Sequence, residues 1–128
     1  MKRTLVSSGS PYEDIIGFSR AVRVGSVVAV GGTAAIGDEG ATVGVGDAAA
    51  QTVRIMEIID DALRRAGASL DDVVRTRTML VDVADWEAVA TARAPFLKHV
   101  RPVDSIVEVS GFVNPEWLVE IEVDAVIT

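Results

Sequence analysis

Apolar and polar residues alternate with a period of two along the last quarter of the chain. Arg101 to Val109 reads R-P-V-D-S-I-V-E-V and Trp117 to Val126 reads W-L-V-E-I-E-V-D-A-V, with a break at Gly111 to Pro115 between them. Successive side chains of a strand point to opposite faces, so each segment predicts a half-buried strand with carboxylates on one face. Acids repeated along a strand are costly unless that face meets water, a partner chain or a ligand. Function is therefore expected on this acidic sheet face. Earlier in the chain, a short first strand ends at the loop Ser7 to Pro11. Phe18 to Val24 then alternates, Gly25-Ser26 signals a two-residue turn, and Val27 to Val30 continues as the second arm of a hairpin. That arm is apolar throughout, which predicts a central strand covered on both faces.

Beyond Gly31-Gly32 and a glycine-rich connection to Gly46, the period changes to 3.6. Asp47 is placed to cap a long helix in which Val53, Met56, Ile59, Leu63 and Ala66 form one stripe. Ile55, Ile58 and Ala62 widen that stripe, and Gly67 ends it. Asp72 to Val83 is a strand. Asp85 opens a second helix that should turn Trp86, Val89 and Phe96 inward, with a break or kink at Pro95. The resulting order, β-β-β-α-β-α-β-β, is an α+β chain in which a six-stranded mixed sheet carries both helices on one face. No element remains to cover the other face, although it must hold part of the apolar content of Val27–Val30, Met79–Val81 and Ile106–Val109. A bare sheet face of that kind marks an oligomer interface.

Composition narrows the chemistry. The 128 residues fit a single domain spanning 1–128, and aromatics make up only 5%, so the core is aliphatic. A formal net charge of −7 argues against broad binding of nucleic acid or anionic membrane, where phosphates call for a basic surface. With no cysteine, disulfides, thiolate nucleophiles and sulfur-ligated metals drop out together. Met1 to Val6 lacks the apolar run of a signal peptide, and no stretch of about 18 apolar residues occurs, so a soluble, cytoplasmic protein without a membrane partner is expected.

Several motifs have plain structural readings. Gly44-Val45-Gly46-Asp47-Ala48-Ala49 matches G-x-G-x-x-A, yet no buried strand leads into it and Asp47 would set a carboxylate beside a pyrophosphate. It reads as a flexible loop with an N-cap. His99, the single histidine, sits near a helix C-terminus beside Lys98 and Arg101, where a cation is favoured. The acids are spread along strands without ligand spacing, so no metal site is expected. Ser105 has no histidine relay and reads as a strand hydroxyl, with a ligand contact as the alternative. Arg75 and Arg77 share one strand face, as do Glu120, Glu122 and Asp124. A cross-strand ion-pair ladder is one reading; the other is that Arg77 presents its guanidinium to a cleft and grips a carboxylate.

Taken together, Gly17 to Gly25, Val30-Gly31-Gly32, Leu70 to Val74, Arg101-Pro102 through Val109, and Val119 to Glu122 resemble the Rid (YjgF) superfamily over nearly the whole chain. The resemblance implies a chorismate-mutase-like fold and a homotrimer in which the bare sheet faces form a central barrel. Three ligand clefts would then lie between neighbouring subunits. The implied chemistry is hydrolysis of enamines or imines to a carbonyl compound and ammonia, with no metal or organic cofactor. Carried over residue by residue, the water-positioning glutamate falls on Glu120 as the catalytic group, and the small-residue loop falls on Gly31 and Gly32. Phe18 stands where the family's deaminases carry a pocket tyrosine. Asp104 stands where they carry the arginine that holds a substrate carboxylate, followed by Ser105 and then Ile106, often a cysteine there.

The departure at Asp104 has a magnitude. Unit charges about 4 Å apart at an effective dielectric near 20 interact by on the order of 4 kcal/mol, so replacing attraction by repulsion swings carboxylate binding by about twice that before solvent screening. The substrate expected here is neutral, cationic, or held by a relocated arginine among Arg20, Arg77, Arg93 and Arg101. A trimer that binds a small metabolite or a protein partner without catalysis is the alternative. Ribonuclease action, a label some relatives carry, fits the acidic surface least.

Overall fold

The computed structural model describes residues 1–128. Strands β1 (Arg3–Val6), β2 (Ala21–Val24), β3 (Val27–Thr33), β4 (Val73–Leu80), β5 (Val103–Glu108) and β6 (Val119–Val126) form one six-stranded sheet in the order β1-β2-β3-β6-β4-β5. Helices α2 (Ala48–Arg65) and α3 (Trp86–Leu97) pack on each other, and α2 lies against β3 and β6. Only β4 and β5 run parallel, joined through α3, which gives the mixed sheet expected from the sequence. A five-residue helix, α1 (Tyr12–Ile16), interrupts the loop before β2 and was not foreseen.

The core lies between the sheet and the helices. Val119, Ile121, Val123 and Ala125 of β6 are fully buried, whereas Glu120, Glu122 and Asp124 alternate with them on the opposite face. Ile55, Met56, Ile59 and Leu63 meet them from α2. Asp47 caps α2 by accepting a hydrogen bond from the Ala50 amide at 3.0 Å, and Gly67 follows the helix at φ 88°, as the spacing required.

Four expectations need correction. Val53 does not join the buried stripe and is 40% exposed, because the buried face of α2 is centred on Ile55 and Ile59. Trp86 is 49% exposed; it is the first residue of α3 and precedes the turn that Val89 buries. Pro95 does not break α3, since it lies in the last turn, where its missing N–H forfeits one helical bond. Val27–Val30 is covered on one face only: Val28 and Val30 are buried, while Val27 is half exposed on the bare side. That bare side carries Leu5, Val27 and Val107 among its exposed apolar residues, together with a ladder of ion pairs. Arg77 Nη1 lies 3.0 Å from Glu122 and 3.4 Å from Asp124, and Arg75 lies 3.8 Å from Asp124.

Candidate functional site

The β3–β6 pairing slips at one point, where the register shifts between Val30 and Thr33. Such a bulge re-aims neighbouring side chains. It contains Gly31 and Gly32, and across from it Glu120 folds back over the glycines. A Cβ placed on Gly32 would lie 2.8 Å from Glu120 Oε1, so a side chain here would push the carboxylate away from the bulge. Glu120 thereby reaches a cavity of about 370 Å³ beside the bulge.

The cavity wall combines four segments. Helix α1 and its flank supply Ser10, Tyr12 and Ile16, and the approach to β2 supplies Phe18 and Arg20. The bulge supplies the floor, and the segment before β6 supplies Val113 and Trp117. Tyr12 and Trp117 meet edge to face, with ring centroids 5.5 Å apart and planes at 75°. The Arg20 guanidinium carbon stands 5.3 Å from the Phe18 ring centre.

Arg20 is buried and held from several sides. Its Nη1 donates to the Gly32 carbonyl at 2.6 Å and to Thr33 Oγ1 at 3.1 Å, and its Nε donates to Ser8 Oγ at 3.2 Å. Burial pulls its pKa down, against the attraction of Glu13 and Glu120. Glu13 orders the preceding loop by accepting from the Ser8 amide and hydroxyl, both at 3.0 Å, and from the Ser10 amide at 3.3 Å. Burial works against its ionisation, but hydrogen bonding with Ser7, Ser8 and Ser10 outweighs it and its pKa falls.

Glu120 differs from the other carboxylates of the sheet. Glu122 and Asp124 are engaged by arginines, whereas the Glu120 carboxylate makes no hydrogen bond or ion pair within the chain. Burial raises its pKa, Arg20 draws it partly back, and Glu122 adds to the rise. An unengaged, half-buried carboxylate with a raised pKa is suited to moving a proton.

The residues singled out from sequence therefore separate into two groups. Glu120, Phe18, Gly31 and Gly32 meet in one cavity. Asp104, Ser105, Ile106 and Arg77 lie away from it in the single chain, on β5 and β4. Asp104 is on the helix-covered side, where it accepts from Thr76 Oγ1 at 2.7 Å and pairs with Arg93 at 3.0 Å. Its charge is thus met within the chain. Ile106 packs against the core, and Ser105 stands beside Arg77 on the bare face. His99 pairs with Asp71 at 2.8 Å, away from either group. No cluster of three or more acidic or histidine side chains could hold a metal ion, and no helix is long and apolar enough to cross a membrane.

Tyr12 and Trp117 were not foreseen as site residues. Tyr12 lies between the loop Ser7 to Pro11 and the alternation that starts at Phe18, a stretch with no periodicity, and Trp117 reads as the first apolar position of a strand. Arg20 was one of four candidate arginines, and it is the one that lines the Glu120 cavity.

Comparison with known proteins follows this geometry. The solved structure of a Mycobacterium tuberculosis protein of the YjgF/YER057c/UK114 family is 46% identical, with a TM-score of 0.88 over 98% of this chain and 100% of that one. A Yersinia pestis protein of the conserved Rid family is 27% identical, with a TM-score of 0.88 over 98% of this chain and 100% of that one. Among characterised relatives, the 3-aminoacrylate deaminase RutC of Acinetobacter baylyi is 34% identical over 94% of each chain. The model of the Endoribonuclease L-PSP family matches residues 8–127, and with these relatives it shows that the chain belongs to that family, the YjgF or Rid group.

Proposed function

We propose that the protein hydrolyses an enamine- or imine-type reactive metabolite to a carbonyl compound and ammonia, working as a homotrimer of one-domain protomers in the cytoplasm. The free Glu120 carboxylate in its cavity carries this reading. Glu120 takes a proton from a water molecule as the water oxygen bonds to the imine carbon, and passes that proton to nitrogen as the C=N π electrons move there, which leaves a carbinolamine and restores the carboxylate. In the collapse of the carbinolamine, Glu120 takes the hydroxyl proton and gives it to the departing nitrogen as the C–N bond breaks, which leaves C=O and ammonia. No redox partner is needed. Gly31 and Gly32 let substrate approach the backbone closely, and Phe18 closes one wall.

The deaminase activity of RutC supports the reaction class. The bare sheet face supports assembly: Val27, Val103 and Val107 are 52%, 57% and 50% exposed, and β5 is an unpaired edge. In a trimer closed through these faces, the β5 edge of one subunit would complete the Glu120 cavity of another. Asp104, Ser105 and Ile106 would enter the ligand site in that way. Asp104 is already engaged by Arg93, so the substrate differs from that of enzymes with an arginine at this position.

The test is Glu120→Gln, assayed against imines generated in solution with and without a carboxylate. Turnover should vanish while sedimentation shows the assembly unchanged. Undiminished turnover would remove Glu120 from the mechanism. If the parent protein turns over no imine but binds the carbonyl products, the non-catalytic metabolite-binding alternative takes its place.

A further inference from the structure

Arg20 is a buried charge bonded mainly to backbone. It is 4% exposed, and its Nη1 donates to the Gly31 carbonyl at 3.4 Å, to the Gly32 carbonyl at 2.6 Å and to Thr33 Oγ1 at 3.1 Å. The Thr33 hydroxyl in turn donates to the Gly31 carbonyl at 2.8 Å. These three residues span the slip in the β3–β6 register, where Gly31 and Gly32 have no paired residue on β6. Carbonyls that leave a ladder need another donor, and a guanidinium presents several in one plane. On its other edge, Arg20 Nε donates to Ser8 Oγ, whose hydroxyl donates to Glu13 at 3.0 Å. All these contacts lie within one chain, so they hold however subunits assemble. Gly32 stands between Arg20 and Glu120: its carbonyl is held by the guanidinium, and its open Cα meets Glu120 Oε1. The two charges act on each other through space, with no hydrogen bond between them. A direct ion pair would occupy the carboxylate that has to take a proton. Engaging the cation with carbonyls keeps it near and leaves the carboxylate free.

We propose that Arg20 is a positioning residue for Glu120: its guanidinium locks the Gly31–Thr33 bulge against which that carboxylate lies, and its charge faces the carboxylate without bonding to it. The inference rests on Glu120 being the proton-transfer group, and it adds the residue that places it and sets its charge. The groups around Glu120 are few. Arg20 comes from the approach to β2, Glu122 from β6 itself, and Tyr12 of α1 lines the same cavity. Across β4 the neighbour is Met79, and from β3 it is Gly32, neither of them charged. Glu13 of α1 faces Arg20. In the proposed trimer Asp104 of a neighbouring subunit joins them, already paired with its own Arg93, and it is the same in parent and variant. Arg20 draws the Glu120 pKa down against burial and Glu122. Without Arg20 that pKa rises, a smaller fraction is carboxylate at a given pH, and the acid limb of the rate profile moves to higher pH.

Carbon NMR titration of isotopically labelled glutamate carboxyls in the intact protein, with Glu120→Gln identifying the signal, is run beside steady-state imine hydrolysis. Arg20→Gln should move the Glu120 titration, and the acid limb of kcat with it, to higher pH. On the plateau kcat should remain roughly 30-fold down with KM within about threefold of the parent, because a misplaced base slows chemistry and spares binding. Arg20→Lys keeps the charge and loses the planar fork, so the titration should stay near the parent's while kcat falls about tenfold. Thr33→Val removes one strut of the bulge and keeps the charge; kcat should fall about fivefold with the titration unmoved. These two variants carry the test if Arg20→Gln folds poorly. An unmoved Glu120 titration in Arg20→Gln, parental kcat in both Arg20→Lys and Thr33→Val, or a raised KM at parental kcat in Arg20→Gln overturns the proposal. Any of these beside imine turnover by the parent leaves the hydrolase reading standing. Absence of turnover by the parent overturns that reading instead, and a shifted titration then still assigns to Arg20 its hold on the Glu120 charge.

Discussion

Replacing Arg93 by methionine removes a guanidinium while keeping much of its apolar stem. Arg93 Nη1 reaches Thr78 Oγ1 at 2.7 Å and Asp104 Oδ1 at 3.0 Å, and Nη2 reaches Thr76 Oγ1 at 2.8 Å. Both threonines are fully buried and Arg93 is 9% exposed, so water cannot replace these bonds at the threonines. Loss of one partner from a buried pair costs about 3–5 kcal/mol. The Asp104 side chain is 33% exposed and keeps its bond from Thr76, which lowers the expectation to about 2–4 kcal/mol. For a chain of this size about 1 kcal/mol corresponds to roughly 4 °C, so the melting midpoint should fall by about 8–15 °C. Differential scanning calorimetry at fixed protomer concentration measures it, because an assembling protein melts in a concentration-dependent way. Adding Asp104→Ala to Arg93→Met should cost less than it does in the parent, since the partner is already gone. A midpoint within about 2 °C of the parent, or full additivity of the two changes, would refute the claim that Asp104 is a neutralised structural charge.

Other variants probe the site and its surroundings. Gly32→Ala drives a methyl group to within 2.8 Å of Glu120 Oε1, which the flexible carboxylate can evade, so turnover should drop about 10- to 100-fold with little change in melting. Unaltered turnover would argue against a fixed role for Glu120. Because burial raises the Glu120 pKa, the folded chain holds that proton more tightly than the unfolded chain, and stability falls as pH rises from the ordinary value of 4.5 through the raised one. Glu120→Gln should therefore stabilise the protein at neutral pH and give no gain near pH 3, as read from urea unfolding at both. Glu13 has the opposite sign, its contribution being present above its unfolded pKa and lost as pH falls through the lowered one. Glu13→Ala should cost about 1–2 kcal/mol at pH 7 by the same measurement and vary less with acidification. Arg101 is the one non-glycine residue at positive φ, 57°, so Arg101→Gly should leave stability unchanged or raise it by up to about 1 kcal/mol, whereas Arg101→Val should lower it.

Much of the architecture is decided locally, by periodicity. The alternation of Val119 to Val126 sets which residues of β6 enter the core, and the stripe through Met56, Ile59 and Leu63 sets the buried face of α2. Asp47 and Gly67 mark the ends of that helix because caps act through bonds a few residues away. The bare acidic face was legible for the same reason, since strand position dictates face, whereas Glu120, Gly31, Gly32 and Phe18 were nominated by the family resemblance. Partner choice was not legible. Whether Arg77 answers Glu122 or a ligand, which arginine reaches the Glu120 cavity, and that Arg93 neutralises Asp104 depend on contacts between residues far apart in sequence. Tyr12 and Trp117 meet only because α1 folds across the segment preceding β6. A one-dimensional pattern records faces and ends, since those follow from backbone geometry. Which side chains converge on one cavity is set by the packing of the whole sheet and its loops, which tertiary structure alone decides.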